Sequence, residues 1–301
     1  MAADGALTTV TRGSVTAHAP AASTAAQREP AVTRITRPGR WPTLALAELW
    51  RSRSICLVLA KRSLKARYRQ TLLGAAWTLV QPVLLMVAFT VFFATLAGTP
   101  TQGIPHALFY LLGLLPWQIV SRVLNEGSLS IVNNAGLLTR VYFPRAYLPA
   151  AAALSAVVDL AFGLVALAAV VAFFGIVPGP AIIVLPVLVL VGLAAALGVA
   201  LWLSALNASF RDVAQLMPLM TQLWFFGSPI IYPSEIVPAA FRDWYYLNPI
   251  ALVIDGFRYA VAGTPAPTAA AWLIGTTVAF GLLVSGYVFF RKREPSFADV
   301  V

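Results

Sequence analysis

Residues 61–69 read KRSLKARYR, five cations in nine positions, and they run through QTLLGAAWTLVQP into an apolar segment. Arg62, Lys65, Arg67 and Arg69 in such a run suit the gripping of phosphate oxygens: arginine presents a planar fork to a phosphate and lysine a point charge. The other side chains able to do chemistry are few. Asp159 stands alone in a long apolar stretch, 12 residues after Tyr147, or about 18 Å along a helix. An acid at that depth is a functional candidate by default. No clear basic partner is visible for it, so a hydrogen bond to a neighbouring helix is expected. Glu235 and Asp243 are the acid pair that an extracytoplasmic glycosyl- or acyltransferase would use. Asp255 and Arg258 are spaced to pair across one helical turn. A phosphate-binding loop needs G-x-x-x-x-G-K-[ST], and none of Lys61, Lys65 and Lys292 follows a glycine. Cys56 is the single cysteine, and His18 and His106 are the only imidazoles. No disulfide, metal site or catalytic site is therefore expected.

The elements that must position these groups are those of a membrane protein. Of 301 residues, 59% are hydrophobic and 11% charged, with a mean hydropathy of +0.81, against about 25% charged in a soluble domain. The net charge of +10 is read from its distribution, which points to membrane lipid and not to nucleic acid. Residues 1–42, rich in Ala, Thr, Arg and Pro, read as a disordered tail. Residues 43–70 follow a helical period, with Leu46, Leu49, Trp50, Leu57, Ala60, Leu64 and Tyr68 on one face and Arg51, Arg62, Lys65 and Arg69 on another. Arg53 interrupts the apolar face. Such a basic amphipathic helix suits the surface of anionic lipid.

The transmembrane body spans 71–290, and 291–301 form a C-terminal tail. Six apolar segments, near 75–97, 107–124, 147–174, 181–205, 213–231 and 269–290, approach or exceed the roughly 20 residues that cross a bilayer. Prolines interrupt the fifth at Met217-Pro218 and Ser228-Pro229. With six crossings, 19 of the 21 Lys and Arg fall on one side and only Arg242 and Arg258 on the other. The rich side is then cytoplasmic, with both termini there, and the 61–69 block is a stop at the headgroups. The fold class is an all-α membrane protein.

Four stretches carry a resemblance: RSLKARYRQTLLGAAWTLVQPVL at 62–84, NNAGLLTRVYFPRAYLP at 133–149, LNASFRDVAQLMP at 206–218, and SPIIYPSEIVPAAFRDWYYLNPIALVIDGFRYAV at 228–261. In this order around the apolar spans, they resemble the permease subunit of type-2 ABC exporters for O-antigen polysaccharide and teichoic acid, from about Glu48 to the C-terminus. The resemblance implies a bacterial inner-membrane half-transporter that pairs with a second copy of itself and with two ATP-binding cassette subunits. Those subunits would bind ATP and Mg; this chain would hold no cofactor and would not be an enzyme. The substrate implied is a lipid-linked polysaccharide or teichoic-acid-like polymer, its carrier phosphate meeting Arg62, Lys65, Arg67 and Arg69.

The connection NNAGLLTRVYFPRAYLP has a physical reading of its own. Pro144 disfavours helix at Phe143, so a short separate helix is expected before it. Leu137, Leu138, Val141, Tyr142 and Phe143 give that piece an apolar face for docking, or for packing on the chain's own spans. By resemblance, Leu137 to Val141 with Tyr142, Phe143, Pro144, Arg140 and Arg145 form the coupling helix that seats in the ATPase. The stretch 228–268 is too apolar for a plain loop and too broken for a span. By resemblance it forms short re-entrant helices at the outer exit, with Trp244, Tyr245, Asp255 and Arg258 as a gate. Sugars stack their C–H faces on aromatic rings, so Phe89, Phe92, Phe93, Trp224, Phe225, Phe226 and Tyr232 are candidates for a polymer path. A membrane-embedded glycosyltransferase or acyltransferase is the alternative reading. A secondary transporter would be expected to show internal repeats, and none is seen.

Overall fold

A computed structural model describes residues 50–69, 76–96, 98–138, 140–141 and 143–297, with the side chains of Thr95 and Leu96 left aside. The 1–42 tail, the start of the amphipathic helix (43–49) and Tyr142 lie outside the described residues. All regular structure among the described residues is helical. The principal helices are α1 (Arg53–Tyr68), α2 (Trp77–Phe89, continued by the π-helical turn Thr90–Leu96), α3 (His106–Ser128), α4 (Tyr147–Phe173), α5 (Leu185–Ser209), α6 (Asp212–Phe226), α7 (Pro249–Ala262) and α8 (Ala269–Arg293).

Five helical segments among the described residues are long and apolar enough to cross a bilayer: Trp77–Ala94, His106–Ser128, Tyr147–Phe173, Pro180–Ser209 and Ala269–Ser296. The sixth crossing, expected at 213–231, corresponds to α6, which has only 15 residues. At 1.5 Å per residue that is about 22 Å, short of a ~30 Å hydrocarbon core. Gly227 and the buried turn Ser228-Pro229 end it.

Helix α3 is the hub. It buries residues on every side, from Leu108 and Phe109 to Val123 and Leu124, as a helix does when it is enclosed all round. Helices α2, α4, α5, α6 and α7 pack on it. Helices α5 and α8 approach most closely: a Cβ on Gly198 would lie 2.4 Å from the Leu282 carbonyl carbon, and one on Gly286 would lie 2.2 Å from the Gly198 oxygen. Small residues permit such backbone approach between membrane helices, where packing and not hydrophobic expulsion drives association.

Helix α1 does pack by a helical period, on a face shifted from the one expected: Ala60, Leu64 and Tyr68 are covered as expected, and Trp50 and Leu57 are not. Ile55, Cys56, Leu59, Ala60, Ser63, Leu64, Arg67 and Tyr68 are wholly or partly buried, and Trp50, Leu57 and Val58 are exposed. The reason is Arg67, which is drawn to the packed face by its partners. Helix α7 is set by local rules: the Asn248 side chain accepts from the Ile250 amide at 3.1 Å, Pro249 opens the first turn, and Gly263 closes the helix with φ of 70°.

Candidate functional site

Two ionic clusters flank the length of α3. The first joins four helices. Arg67 of α1 donates from Nη1 to Asp159 Oδ2 of α4 at 2.8 Å and pairs through Nη2 with Glu126 of α3. Arg122 of α3 reaches Asp159 Oδ2 at 2.6 Å and Glu126 Oε1, one turn along its own helix, at 3.9 Å. The Tyr68 hydroxyl donates to Asp159 Oδ1 and lies 2.9 Å from Thr78 Oγ1 of α2. Two guanidinium groups thus balance two carboxylates. Burial works against the Arg67 cation, but Glu126 and Asp159 outweigh it and hold its pKa above the ordinary value. Asp159, expected to lack a basic partner, therefore has two. They come from α1, read as a surface helix, and from α3, so no sequence-local pattern revealed them. The expected hydrogen bond to a neighbouring helix is present as well.

Arg67 is accordingly engaged within the chain, while Arg62, Lys65 and Arg69 remain exposed. Beside this cluster lies a cavity of about 590 Å³ between α1, the end of α3, the one-turn helix Ser130–Asn133 and the start of α4, with Arg62, Arg67 and Glu126 in its wall.

The second cluster is built by α7. Arg258 is fully buried. Its guanidinium carbon lies 3.6 Å from the centroid of the Phe109 ring, a cation–π contact. Its Nη1 is 3.6 Å from Asp255 Oδ1, and Nη2 donates to the Ile230 carbonyl at 3.2 Å. Asp255 Oδ2 accepts from the Tyr246 hydroxyl at 3.2 Å. Burial, then the Asp255 carboxylate, pushes the Tyr246 phenol well above its usual pKa, so it stays a donor. Asn248 is a positioning residue that the sequence analysis did not single out. Its Oδ1 accepts from Trp224 Nε1 at 2.9 Å, and its Nδ2 donates to Ser228 Oγ at 2.9 Å, tying α6 to α7. The N-P dipeptide before an apolar helix was the signal for such a cap. Of the four gate candidates, Asp255 and Arg258 are buried together, Tyr245 Oη lies 3.1 Å from Tyr232 Oη, and Trp244 is exposed.

The aromatic candidates divide. Phe89 and Phe93 pack edge-on or tilted against Tyr110 and each other, and Phe225 meets Phe89 and Trp117. Phe92 and Phe226 are exposed. Exposed with them are Leu84 and Val87 on α2 and Leu216, Leu219 and Leu223 on α6.

The coupling candidates divide too. The expected short helix is the single turn Ala135–Leu138. Arg140 and Val141 are exposed beyond it, and Leu137 and Leu138 are half-buried. Phe143, expected on a docking face, is instead buried in the chain's own cluster with Ile131, Tyr147, Phe290 and Phe297. The residues read as a C-terminal tail build that cluster. The Arg145 amide donates to Glu294 Oε1 at 3.2 Å, its Nη1 donates to the Glu294 carbonyl at 2.5 Å, and Phe297 is buried against Phe290. The acid pair of the enzyme reading is unremarkable in its contacts: Glu235 Oε1 accepts from Gln102 Nε2 at 3.0 Å, and Asp243 is exposed.

Helices long enough to span, a buried hub and ion pairs locked between helices define a multi-pass, all-α membrane protein. The ABC-2 type transporter family model matches residues 55–262, and the chain belongs to that family. The O-antigen export system permease protein RfbA of Myxococcus xanthus is 30% identical over 257 residues, covering 84% of this chain and 98% of the relative. Two proteins of the same name from Klebsiella pneumoniae are 23% and 24% identical, over 248 and 249 residues, each covering 82% of this chain and 95% of its relative. The chain is a transmembrane permease of transporter type, and membership of this family implies partnership with an ATP-binding subunit.

Proposed function

We propose that this chain is one half of the membrane channel of an ATP-driven exporter for a lipid-linked polysaccharide of O-antigen type, with a teichoic-acid-like polymer as the second candidate cargo. The observation that carries the reading is the match to O-antigen export permeases over nearly their whole length. Two copies pair, and the exposed apolar side chains of α2 and α6, Phe92 and Phe226 among them, support a seam or polymer path between them. Two ATPase subunits dock at Arg140 and Val141, whose exposure after the turn Ala135–Leu138 favours a coupling role. ATP and Mg belong to those subunits. Both termini face the bacterial cytoplasm, as the Lys and Arg distribution supports, with the short α6 and the buried turn after it completing a sixth crossing. The exposed Arg62, Lys65 and Arg69 meet the carrier phosphate at the inner surface, while Arg67 anchors the helix that presents them. Trp244 and Tyr245 stand at the outer exit.

The test is genetic. Cells lacking this chain should accumulate the lipid-linked polymer on the inner side of the cytoplasmic membrane and lose it from the surface, with restoration by the wild-type chain. Normal surface polymer in the deletion strain would overturn the reading.

A further inference from the structure

The cavity of about 590 Å³ has a mixed wall, apolar over the larger part of its surface and set with polar groups. It lies within the usual size range for small-molecule pockets, but its wall is rich in groups that hydrogen-bond: Arg62, Ser63, Asn125, Glu126, Asn133 and Asn134. The apolar remainder is aliphatic, Leu59, Leu129 and Leu148 with alanines. Two of the amides are held in place. Asn125 Nδ2 donates to the Ser121 carbonyl at 2.7 Å and Asn134 Nδ2 to the Ser130 carbonyl at 2.8 Å. Glu126 is fixed by Arg67. Amide and carboxylate oxygens held in this way suit hydroxyl donors, and an exposed arginine at the same wall suits a phosphate.

We propose that this cavity is a saccharide subsite for the sugar directly attached to the carrier phosphate. Hydroxyls of that sugar meet Asn125, Asn133, Asn134 and Glu126, and the adjoining phosphate meets Arg62. The proposal rests on the reading of the cargo as lipid-linked glycan and adds the part of it that is recognised. The subsite reads the junction common to every chain length, so it makes export independent of polymer length. The sugar's place beside Glu126 also puts it against the ion pair that holds α1 to the bundle.

The test uses this chain assembled with its ATPase subunits in lipid nanodiscs. Two probes are compared, a short-chain lipid diphosphate carrying one hexose and the same lipid diphosphate without sugar. The wild type should bind the sugar-bearing probe on the order of tenfold more tightly, as two or three hydrogen bonds allow. Asn125→Ala with Asn133→Ala should erase that preference and leave the bare diphosphate bound as before. Ser63→Leu, which fills the cavity from α1, should erase it too. Arg62→Gln should weaken both probes. Equal affinity for the probes in the wild type, or a preference that survives in the Asn and Ser63 variants, overturns the subsite and leaves the exporter reading standing. Failure of both probes to bind overturns the subsite together with the carrier reading. A loss of ATPase subunits from Asn133→Ala with the sugar preference kept overturns it in favour of a subunit contact.

Discussion

The two ionic clusters lie about 20 Å apart along α3, from Phe109 to Arg122, and they solve the burial of charge differently. At Asp159 two arginines and two acids balance, and both Arg67 and Glu126 keep partial access to solvent, at 25% and 35% of the side chain. Pairs open to water in this way are worth less than enclosed ones. At Arg258 one cation is wholly buried, its Nε and Nη1 have no hydrogen-bond partner among the described residues, and the Phe109 ring faces the guanidinium. Breaking a buried pair of this kind strands the remaining charge. The first cluster is therefore suited to a movable joint between α1 and the bundle, and the second to a fixed rivet between α7 and α3.

The largest effect expected from that contrast is at the rivet. Arg258→Ala strands Asp255 and should cost about 3–5 kcal/mol, read as loss of monodisperse protein after detergent extraction. The double change Arg258→Met with Asp255→Leu should recover most of it, because apolar replacement of a buried pair is often neutral or better. Failure of the double variant to recover would show that the cation–π contact and the Ile230 hydrogen bond, not the charge pair, fix α7.

A smaller loss is expected at the joint. Asp159→Asn leaves Arg67 and Arg122 sharing Glu126, at a cost of roughly 1–3 kcal/mol after screening, measured by thermal unfolding of the purified chain. Arg67→Gln should speed proteolysis of α1, whereas Arg69→Gln, exposed and outside the network, should leave it unchanged. Equal sensitivity of the two variants would return Arg67 to the free cations. The smallest effect sharpens the contrast further. Raising salt from about 0.1 to 1 M shortens the Debye length from roughly 10 to 3 Å. It should shrink the Arg67→Gln difference and leave that of Arg258→Ala unaltered.

What the sequence made legible follows from what is local. Apolar runs marked the long helices, because hydropathy is read within a few residues. The Asp255–Arg258 pair was legible for the same reason, lying one turn apart on one helix. Asp159 was not, since Arg67 and Arg122 are 92 and 37 positions away in sequence and only helix packing brings them to it. Phe143 misled because an apolar residue in a connection reads equally as a docking surface or as core. Its partners Phe290 and Phe297 come from the opposite end of the chain. The face of α1 was read correctly at Ala60, Leu64 and Tyr68 but not at Leu57, because counting apolar side chains alone leaves out an arginine with two acids to meet.

The most direct measurement of the account is transport itself. The chain is reconstituted with its ATPase subunits into proteoliposomes, and a fluorescent lipid-linked glycan is followed by its protection from an impermeant glycosidase. The account predicts protection that grows only with ATP and Mg, fails with this chain or the ATPase alone, and is lost in Arg140→Glu with Val141→Asp while the membrane part stays folded. ATP-independent movement of the glycan, or none with all components present and ATP being hydrolysed, would contradict it.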